Sequence, residues 1–154
     1  MMMHLSSDVI KILQGKTLAT AESCTGGGIG AALTAVPGSS AVYKGGIISY
    51  TNWVKENLLG VSGEMLEKYG AVSEAVAQAM AVGARDRLQA DISVSVTGLA
   101  GPGGDEYGNP VGTVFIGYAD ENKSYAKEFH FSGDRETVRQ QAIQMALCAI
   151  LDNN

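Results

Sequence analysis

The sequence is short of several residue types, and each shortage excludes a class of protein. Only two cysteines are present, Cys24 and Cys148, so a disulfide framework is not indicated and we expect a reducing, cytoplasmic location. No apolar run reaches the roughly 18 residues of a membrane-spanning helix. The opening MMMHL also lacks the charged and apolar regions of a signal peptide. We therefore expect no membrane partner.

Histidine is equally scarce, and this limits the catalytic machinery that the chain can carry. His4 lies close to the start of the sequence, and His130 alternates with two phenylalanines in a strand-like pattern that is typical of a structural residue. Two such histidines do not favour a Ser-His-Asp triad or a two-histidine metal site. A catalytic serine would need a different base.

Basic charge is outnumbered by acidic charge. The 11 lysines and arginines compare with 16 aspartates and glutamates, which gives a formal net charge of −5, and the basic residues are scattered. This distribution argues against nucleic acid as the main partner. It still permits a small anionic ligand, because one local site can oppose the net charge.

Hydrophobic periodicity and helix caps predict alternating strands and helices. The early interleaving and a late hairpin predict an α/β fold, a three-layer α/β/α domain with a mixed sheet. A length of 154 residues suits one core, so we predict a single domain over residues 1–154. The predicted strands are 17–21, 45–50, 92–97, 111–119 and 124–131, and the predicted helices are 7–14, 29–36, 53–59, 63–69, a long helix capped by Ser73, and one from 134 to about 151.

Glycine is the residue type that is abundant. The 20 glycines concentrate at 26–30, 45–46 and 98–104. Glycine permits positive φ and lets a ligand approach the backbone closely. Two of these segments, 26–30 and 98–104, directly follow predicted strands, so we expect them to form opposite walls of one pocket. The alternative for the second segment is a flexible surface turn.

The segment ESCTGGG, residues 22–28, has the pattern of a ligand-binding turn between a strand and a helix. Ser23 stands where a nucleophile can be exposed, and the N–H groups from Cys24 to Gly26 are candidate oxyanion donors. The alternative is a turn whose serine and threonine only cap the helix. Cys24 is a rival nucleophile, because helix N-termini stabilise thiolates. No GxxxxGK[ST], GxGxxG or GxSxG motif is present.

Lys55 is the candidate base for Ser23. It lies in the first turn of a predicted helix, where the helix dipole lowers a lysine pKa. Partial burial beside Tyr50 and Trp53 would lower the pKa further. A neutral lysine can take the proton of a serine. The alternative interpretation is an exposed helix lysine.

Seven blocks, in order, resemble the CinA carboxy-terminal domain family, whose stand-alone members are nicotinamide-nucleotide amidases. The blocks are AESCTGG at 21–27, GSS at 38–40, GGIISYTNWVKENLLGV at 45–61, GAVSE at 70–74, TGLAGPGG at 97–104, PVGTV at 110–114 and FSGDR at 131–135. No block resembles the larger, molybdopterin-binding-like amino-terminal domain of full CinA proteins.

The resemblance implies hydrolysis of nicotinamide mononucleotide to nicotinate mononucleotide and ammonia, in pyridine nucleotide recycling. It implies serine–lysine catalysis without metal or cofactor, in a homo-oligomer, with Ser23 as nucleophile, Lys55 as base and Tyr50 as a further catalytic residue. Arg139 is the candidate for the phosphate, since a guanidinium binds phosphate bidentately. Glu22 is a candidate for orienting the lysine or a ribose hydroxyl. The remaining substrate-binding candidates are Cys24, Thr25, Gly26, Gly27, Thr97, Gly98 and Gly101.

Two other functions remain open. One is a nucleotide-binding CinA-like module without turnover, and the other is an interacting protein linked to DNA uptake or recombination, as the family's competence label suggests. The presence of both Ser23 and Lys55 favours the enzyme. The acidic net charge argues against direct DNA binding.

Overall fold

A computed structural model describes residues 2–154 and contains one five-stranded sheet of order β2-β1-β3-β4-β5. The first three strands are parallel, and the last two form an antiparallel hairpin. The predicted mixed sheet is therefore confirmed. The strands are β1 (Leu18–Glu22), β2 (Tyr43–Ile48), β3 (Ile92–Gly98), β4 (Thr113–Ala119) and β5 (Ser124–His130).

Helices cover both faces of this sheet, which confirms the three-layer α/β/α architecture. One face carries α1 (Met2–Ile12), α2 (Gly28–Thr34) and α6 (Arg135–Asp152), and the other carries α3 (Asn52–Leu59), α4 (Gly63–Tyr69) and α5 (Glu74–Arg87). A short 3-10 turn, Ser39–Ala41, precedes β2. Within residues 2–154, no helix has the length and apolarity needed to cross a membrane.

The central strands of the sheet are buried on both faces because helices pack on both sides. All five residues of β1 are buried, and its central position between β2 and β3 explains this. One apolar core joins the sheet to α1, α2 and α6. Ile29, Val94 and Leu147 are fully buried in this core. A second, smaller core lies under α5 around Met80.

Strand β2 differs from its predicted bounds, 45–50, and begins and ends two residues earlier. It ends at Ile48 because its partner β1 ends at Glu22, which is the residue opposite Ile48. It begins at Tyr43, whose hydroxyl lies 2.7 Å from Thr20 Oγ1 on β1. Gly46 therefore lies inside the strand, where a Cβ would collide with the Thr20 side chain. As a result, Ser49 and Tyr50 leave the sheet at its carboxyl edge.

Other bounds differ from the sequence predictions as well. Helix α1 begins five residues before the predicted position 7, because Met2 and Leu5 pack against the core. Strand β4 begins at Thr113 rather than 111, since Gly112 has φ +94° and interrupts the extended backbone. The carboxyl ends of β1, β2 and β3 nevertheless meet at one edge, so the segments that follow them are neighbours.

Candidate active site

Ser23 follows the last residue of β1 and is held there by the adjacent strand. Its N–H donates to Val96 O at 3.0 Å, and its carbonyl accepts from Gly26 N at 3.1 Å. The side chain is buried, with 7% of the residue surface exposed. Ser23 thus stands at the carboxyl edge of the sheet, in a turn that the backbone fixes on both sides.

Lys55 reaches Ser23 from helix α3, and its Nζ lies 3.0 Å from Ser23 Oγ. The amine also donates to the carbonyls of Ser49 at 2.8 Å and Tyr50 at 3.5 Å. The residue is only 1% exposed. When the amine is neutral, its two N–H groups suit the two carbonyls, and its lone pair can face the serine hydroxyl. In this geometry Lys55 Nζ donates to Ser23 Oγ when it is charged, and a neutral amine can accept the serine proton at the same distance.

Burial sets the basicity of Lys55. Removal of the ammonium from water lowers the pKa of Lys55 from its ordinary 10.5 to about 8. The side chains of Tyr50 and Trp53 do not provide that burial as expected, because they are 58% and 67% exposed. The main chain of residues 49–50 and the Ser23 turn contact the amine instead. A pKa near 8 leaves a usable neutral fraction at physiological pH.

Cys24 lies beside Ser23, but its thiol is not activated. Burial raises the pKa of Cys24 to about 11, although the charges of Arg139 and Lys55 act to lower it. The expected helix dipole is weak here, because α2 begins at Gly28 and its cap is Gly27. Dipole effects fall off beyond the first turn. Cys24 is therefore a neutral thiol in the wall of the site, and the rival nucleophile has no support.

A cavity of about 300 Å³ opens beside Ser23 and Lys55. The turn after β1 contributes Ser23 and Cys24, and the end of β3 with the loop after it contributes residues 97–101 and 103. Tyr50 and Asn52 line it at the start of α3, and Ala71 and Val72 line it from the segment before α5. The second glycine-rich segment, 98–104, thus forms one wall of the cavity, whereas the opposite wall is formed by Ser23 and Cys24 and not by the glycines 26–30.

Thr97, Gly98 and Gly101 all line this cavity, but Thr97 has a structural contact of its own. Its hydroxyl donates to Ala71 O at 2.9 Å, which ties the segment before α5 to strand β3. Gly101 has φ +103°, a backbone conformation that residues other than glycine rarely adopt. Within residues 2–154, no group of three or more His, Cys, Asp and Glu side chains is arranged to hold a metal ion.

Arg135 is the cavity residue that the sequence reasoning missed. It is the first residue of α6, and its guanidinium donates to Gly101 O at 2.6 Å and to Tyr50 Oη at 3.3 Å. It thus bridges the loop after β3 and the segment after β2 across the cavity. The signal was present in the FSGDR block, since Arg135 directly follows the helix cap Asp134. Asn52 was missed as well.

Comparisons with known proteins agree with this architecture. The CinA C-terminal domain model matches residues 3–153. The chain belongs to the CinA C-terminal domain family. A CinA-like protein of Parasynechococcus marenigrum is 52% identical over 147 residues, which cover 93% of this chain and 35% of the relative. A putative competence-damage inducible protein of Halothermothrix orenii is 50% identical, over 92% of this chain and 35% of the relative. The chain thus spans about a third of the length of these curated relatives.

Solved structures of the CinA superfamily superpose closely on the chain. A competence-damaged protein (CinA) superfamily protein from Escherichia coli has a TM-score of 0.97 and 40% identity, and the match covers 100% of this chain and 91% of that one. The competence/damage inducible protein CihA from Agrobacterium tumefaciens has a TM-score of 0.95 and 39% identity, with 98% and 94% covered. The CinA fold therefore applies to the chain as a whole.

Within this CinA domain, Arg139 does not lie where the sequence interpretation put it. It does not line the cavity, and its guanidinium is occupied by Cys24 O at 3.1 Å, Thr25 O at 3.1 Å and the Glu136 carboxylate at 3.0 Å. Three of its five N–H groups are therefore used within the protein. Arg139 holds the back of the turn after β1, outside the cavity beside Ser23 and Lys55.

Glu22 and Thr25 also lie behind the cavity rather than in it. Glu22 is 2% exposed, and its Oε1 accepts from Thr25 Oγ1 at 2.7 Å and Ile29 N at 2.8 Å. Its Oε2 accepts from Gly30 N at 3.0 Å. The carboxylate is therefore directed to the start of α2 and contacts neither the lysine amine nor the cavity. Neither Glu22 nor Thr25 is a wall residue.

Gly26 and Gly27 shape the turn but do not line the cavity. Both have positive φ, +58° and +105°, which a glycine adopts without strain. The N–H of Gly26 is already used by Ser23 O, so it is not a free oxyanion donor. Among the described residues, the N–H groups of Cys24 and Thr25 donate no hydrogen bond, and they are the candidates that this turn retains.

Proposed function

We propose that the chain is an amidase that hydrolyses the carboxamide of nicotinamide mononucleotide to the carboxylate and ammonia, as a cytoplasmic step of pyridine nucleotide recycling. The observation that carries the proposal is the 3.0 Å contact between the buried Lys55 amine and Ser23 Oγ, at a cavity. A lysine whose pKa is about 8 can act as a base near neutral pH. A serine in contact with such a base is a usable nucleophile.

The reaction starts with transfer of the Ser23 proton to neutral Lys55. Ser23 Oγ forms a bond to the amide carbon, and the carbonyl oxygen becomes an oxyanion. Lys55 returns the proton to the amide nitrogen, the C–N bond breaks, and ammonia leaves an acyl-serine. Water then gives a proton to Lys55 and attacks the ester carbon. Lys55 passes this proton to Ser23 Oγ as the second intermediate collapses, which restores the Ser23 hydroxyl and releases the carboxylic acid. The acid loses its remaining proton to solvent and becomes the carboxylate.

The oxyanion needs hydrogen-bond donors that are free before the reaction. The N–H groups of Cys24 and Thr25 meet this condition, and so do those of Ala100 and Gly101 on the facing loop within the described chain. Ser23 N, Gly26 N and Leu99 N are already paired. Each well-placed donor lowers the barrier by about 3 kcal/mol.

The rest of the cavity suits the other parts of the nucleotide. Val72, Leu99 and Ala100 offer apolar surface of the kind that a pyridine ring requires. Arg135 is exposed and at the rim, and its planar guanidinium can bind a phosphate bidentately. This assigns to Arg135 the role that the sequence interpretation gave to Arg139. Tyr50, whose hydroxyl accepts from Arg135, would position the guanidinium rather than transfer protons.

The test is a comparison of three carboxamides with the purified chain. Ammonia release is measured with nicotinamide mononucleotide, nicotinamide riboside and nicotinamide, and Ser23→Ala serves as the blank. We expect release from the mononucleotide, with kcat/KM about tenfold or more above that of the riboside, since the riboside lacks the phosphate. Release no greater than the blank for all three would contradict the proposal. Binding of the mononucleotide without ammonia would indicate the silent nucleotide-binding module instead.

A further inference from the structure

Glu22 is a buried charged residue that the proposed reaction does not use. It lies immediately before the nucleophile, and its carboxylate has three hydrogen-bond donors inside the protein. A carboxylate is costly to bury unless such donors surround it. We propose that Glu22 is a positioning residue that sets the approach of Ser23 Oγ to Lys55 Nζ. This inference rests on the proposed function for its kinetic readout and has a second readout that does not.

The side chain of Glu22 spans the nucleophile turn. The turn leaves β1 at Ser23 and enters α2 at Gly28, and the Glu22 carboxylate accepts from Thr25 within it and from Ile29 and Gly30 beyond it. The turn is therefore fixed at its start, its middle and its end by one residue. The three glycines 26–28 have no side chains to restrain the backbone, so this external restraint replaces internal rigidity.

The main chain of Glu22 restrains the base as well. Glu22 O accepts from Ser49 N at 2.7 Å, and Ser49 O accepts from Lys55 Nζ at 2.8 Å. Two hydrogen bonds thus connect Glu22 to the lysine amine, while one peptide bond connects it to the serine. Ser23 and Lys55 are therefore both linked to Glu22. This shared link helps to hold their side chains 3.0 Å apart although the residues are 32 positions apart in the sequence.

The charge and shape of Glu22 fit this role better than those of glutamine. All three partners of the carboxylate are donors, so both oxygens are needed as acceptors. In Glu22→Gln the amide NH₂ would face an N–H or O–H donor, and at least one contact would be lost. The carboxylate also lies at the N-terminal end of α2, where a negative charge is favourable.

The experiment compares Glu22→Gln with Glu64→Gln, which removes an exposed glutamate from the first turn of another helix, α4. We expect kcat on nicotinamide mononucleotide to fall about 100-fold in Glu22→Gln, since small misplacement of a catalytic group has effects of that size. KM should change by less than about threefold, and the pH midpoint near 8 should stay, since Glu22 does not contact Lys55 Nζ. Glu64→Gln should match the wild type.

Two results would overturn the proposal. One is a kcat of Glu22→Gln within about twofold of the wild type together with an unchanged KM. The other is the same kcat with a raised KM, which would indicate a substrate contact. If Glu22→Gln does not fold, as judged by circular dichroism, Thr25→Val decides the question. This variant keeps the carboxylate and its two backbone donors, and we expect about fivefold lower kcat. An unchanged kcat in Thr25→Val would then refute the positioning role.

A fluorophosphonate probe separates this inference from the identity of the substrate. Ser23 Oγ displaces fluoride from phosphorus and loses its proton to Lys55, so the labelling rate reports the serine–lysine pair alone. Labelling should be about tenfold or more slower in Glu22→Gln than in Glu64→Gln, and absent in Ser23→Ala. Slower labelling without any turnover of the mononucleotide would uphold the inference and reject the amidase. Normal labelling with normal turnover in Glu22→Gln would do the reverse.

Discussion

The two walls of the cavity, the turn after β1 and the loop after β3, are held in different ways. The turn at residues 23–27 is fixed from behind by Glu22 and Arg139 and from the side by Val96 O. The loop at residues 101–110, of which Gly101 and Gly103 line the cavity, is mostly exposed, and its contacts with the body are few, such as Asn109 with Val72 O at 3.0 Å. We infer that the two walls have different roles. The rigid wall, residues 23–27, carries the bond making, and the looser wall, residues 101–110, carries substrate recognition.

Removal of the nucleophile gives the largest expected effect. Ser23→Ala should lower kcat on nicotinamide mononucleotide by about 10⁴-fold or more, because no acyl-enzyme can form. The measurement is ammonia release under substrate saturation. Ser40→Ala, an exposed serine outside the cavity, is the matched control and should keep wild-type turnover. A decrease in kcat smaller than about tenfold in Ser23→Ala would show that the rigid wall does not supply the nucleophile.

Removal of the proposed base, Lys55, should give the second largest decrease in kcat. Lys55→Met should lower kcat by about 10³-fold, whereas Lys68→Met, at an exposed lysine of α4, should have no effect. In the wild type, kcat/KM should rise with pH and level off above about 8, because only neutral Lys55 accepts the Ser23 proton. A wild-type profile that falls between pH 7 and 9 would contradict this assignment.

The same lysine should reduce the stability of the protein. The pKa of Lys55 is about 8 in the folded state against 10.5 ordinarily, so the unfolded chain binds more protons between these values. Stability should therefore increase with pH over that range, by on the order of 3 kcal/mol from this group. Lys55→Met should raise the Tm at pH 7 and flatten this dependence, as measured by calorimetry. A lower Tm at pH 7 would show that the amine stabilises the fold.

The two arginines of α6 offer the sharpest test of the division between the walls. Arg139→Gln should lower kcat by about 30-fold with little change in KM, because the carbonyls of Cys24 and Thr25 lose their donor. Arg135→Gln should raise KM about tenfold with little change in kcat, because it removes the proposed phosphate contact and the bonds to Gly101 O and Tyr50 Oη, none of which involves the Ser23–Lys55 pair. Steady-state kinetics on both variants decide. Matching effects in the two variants would mean that the walls do not differ in function.

The smallest effect is expected at the far end of the looser wall. Tyr107 Oη donates to Glu67 O at 2.7 Å and anchors the loop to α4. Tyr107→Phe should reduce the free energy of unfolding by about 1 kcal/mol, the usual value of one such hydrogen bond. Activity should stay within about twofold of the wild type. A large loss of kcat would show that the loop, like the opposite turn, must be held rigidly.

The comparison also separates what the sequence could predict from what it could not. The strand–glycine–helix pattern, the shortage of histidine and the family blocks together pointed to Ser23 and Lys55, and the structure brings these two side chains into contact. Arg135 and Arg139 lie on one face of α6, one turn apart, and the sequence does not show which turn reaches the cavity. Which turn of α6 reaches the cavity depends on how the helix packs across the sheet, and this is a property of the tertiary structure.

The positions of Glu22 and Cys24 depended on one further structural detail. The sequence does not state where α2 begins after a run of three glycines, and the structure has the cap at Gly27. This start puts the N–H groups of Ile29 and Gly30 over Glu22 and leaves Cys24 outside the first turn. The fold class was predictable from the alternating pattern because burial on both faces of the sheet requires helices on both sides.

The most direct measurement is the capture of the acyl-enzyme. Wild-type protein is mixed with nicotinamide mononucleotide, quenched in acid within the first turnover, digested, and analysed by mass spectrometry. The account predicts an ester of nicotinate mononucleotide on Ser23, absent from Ser23→Ala, and its slower formation in Lys55→Met. An adduct on Cys24, or full ammonia release by Ser23→Ala, would contradict the assignment of Ser23 as the nucleophile and Lys55 as its base.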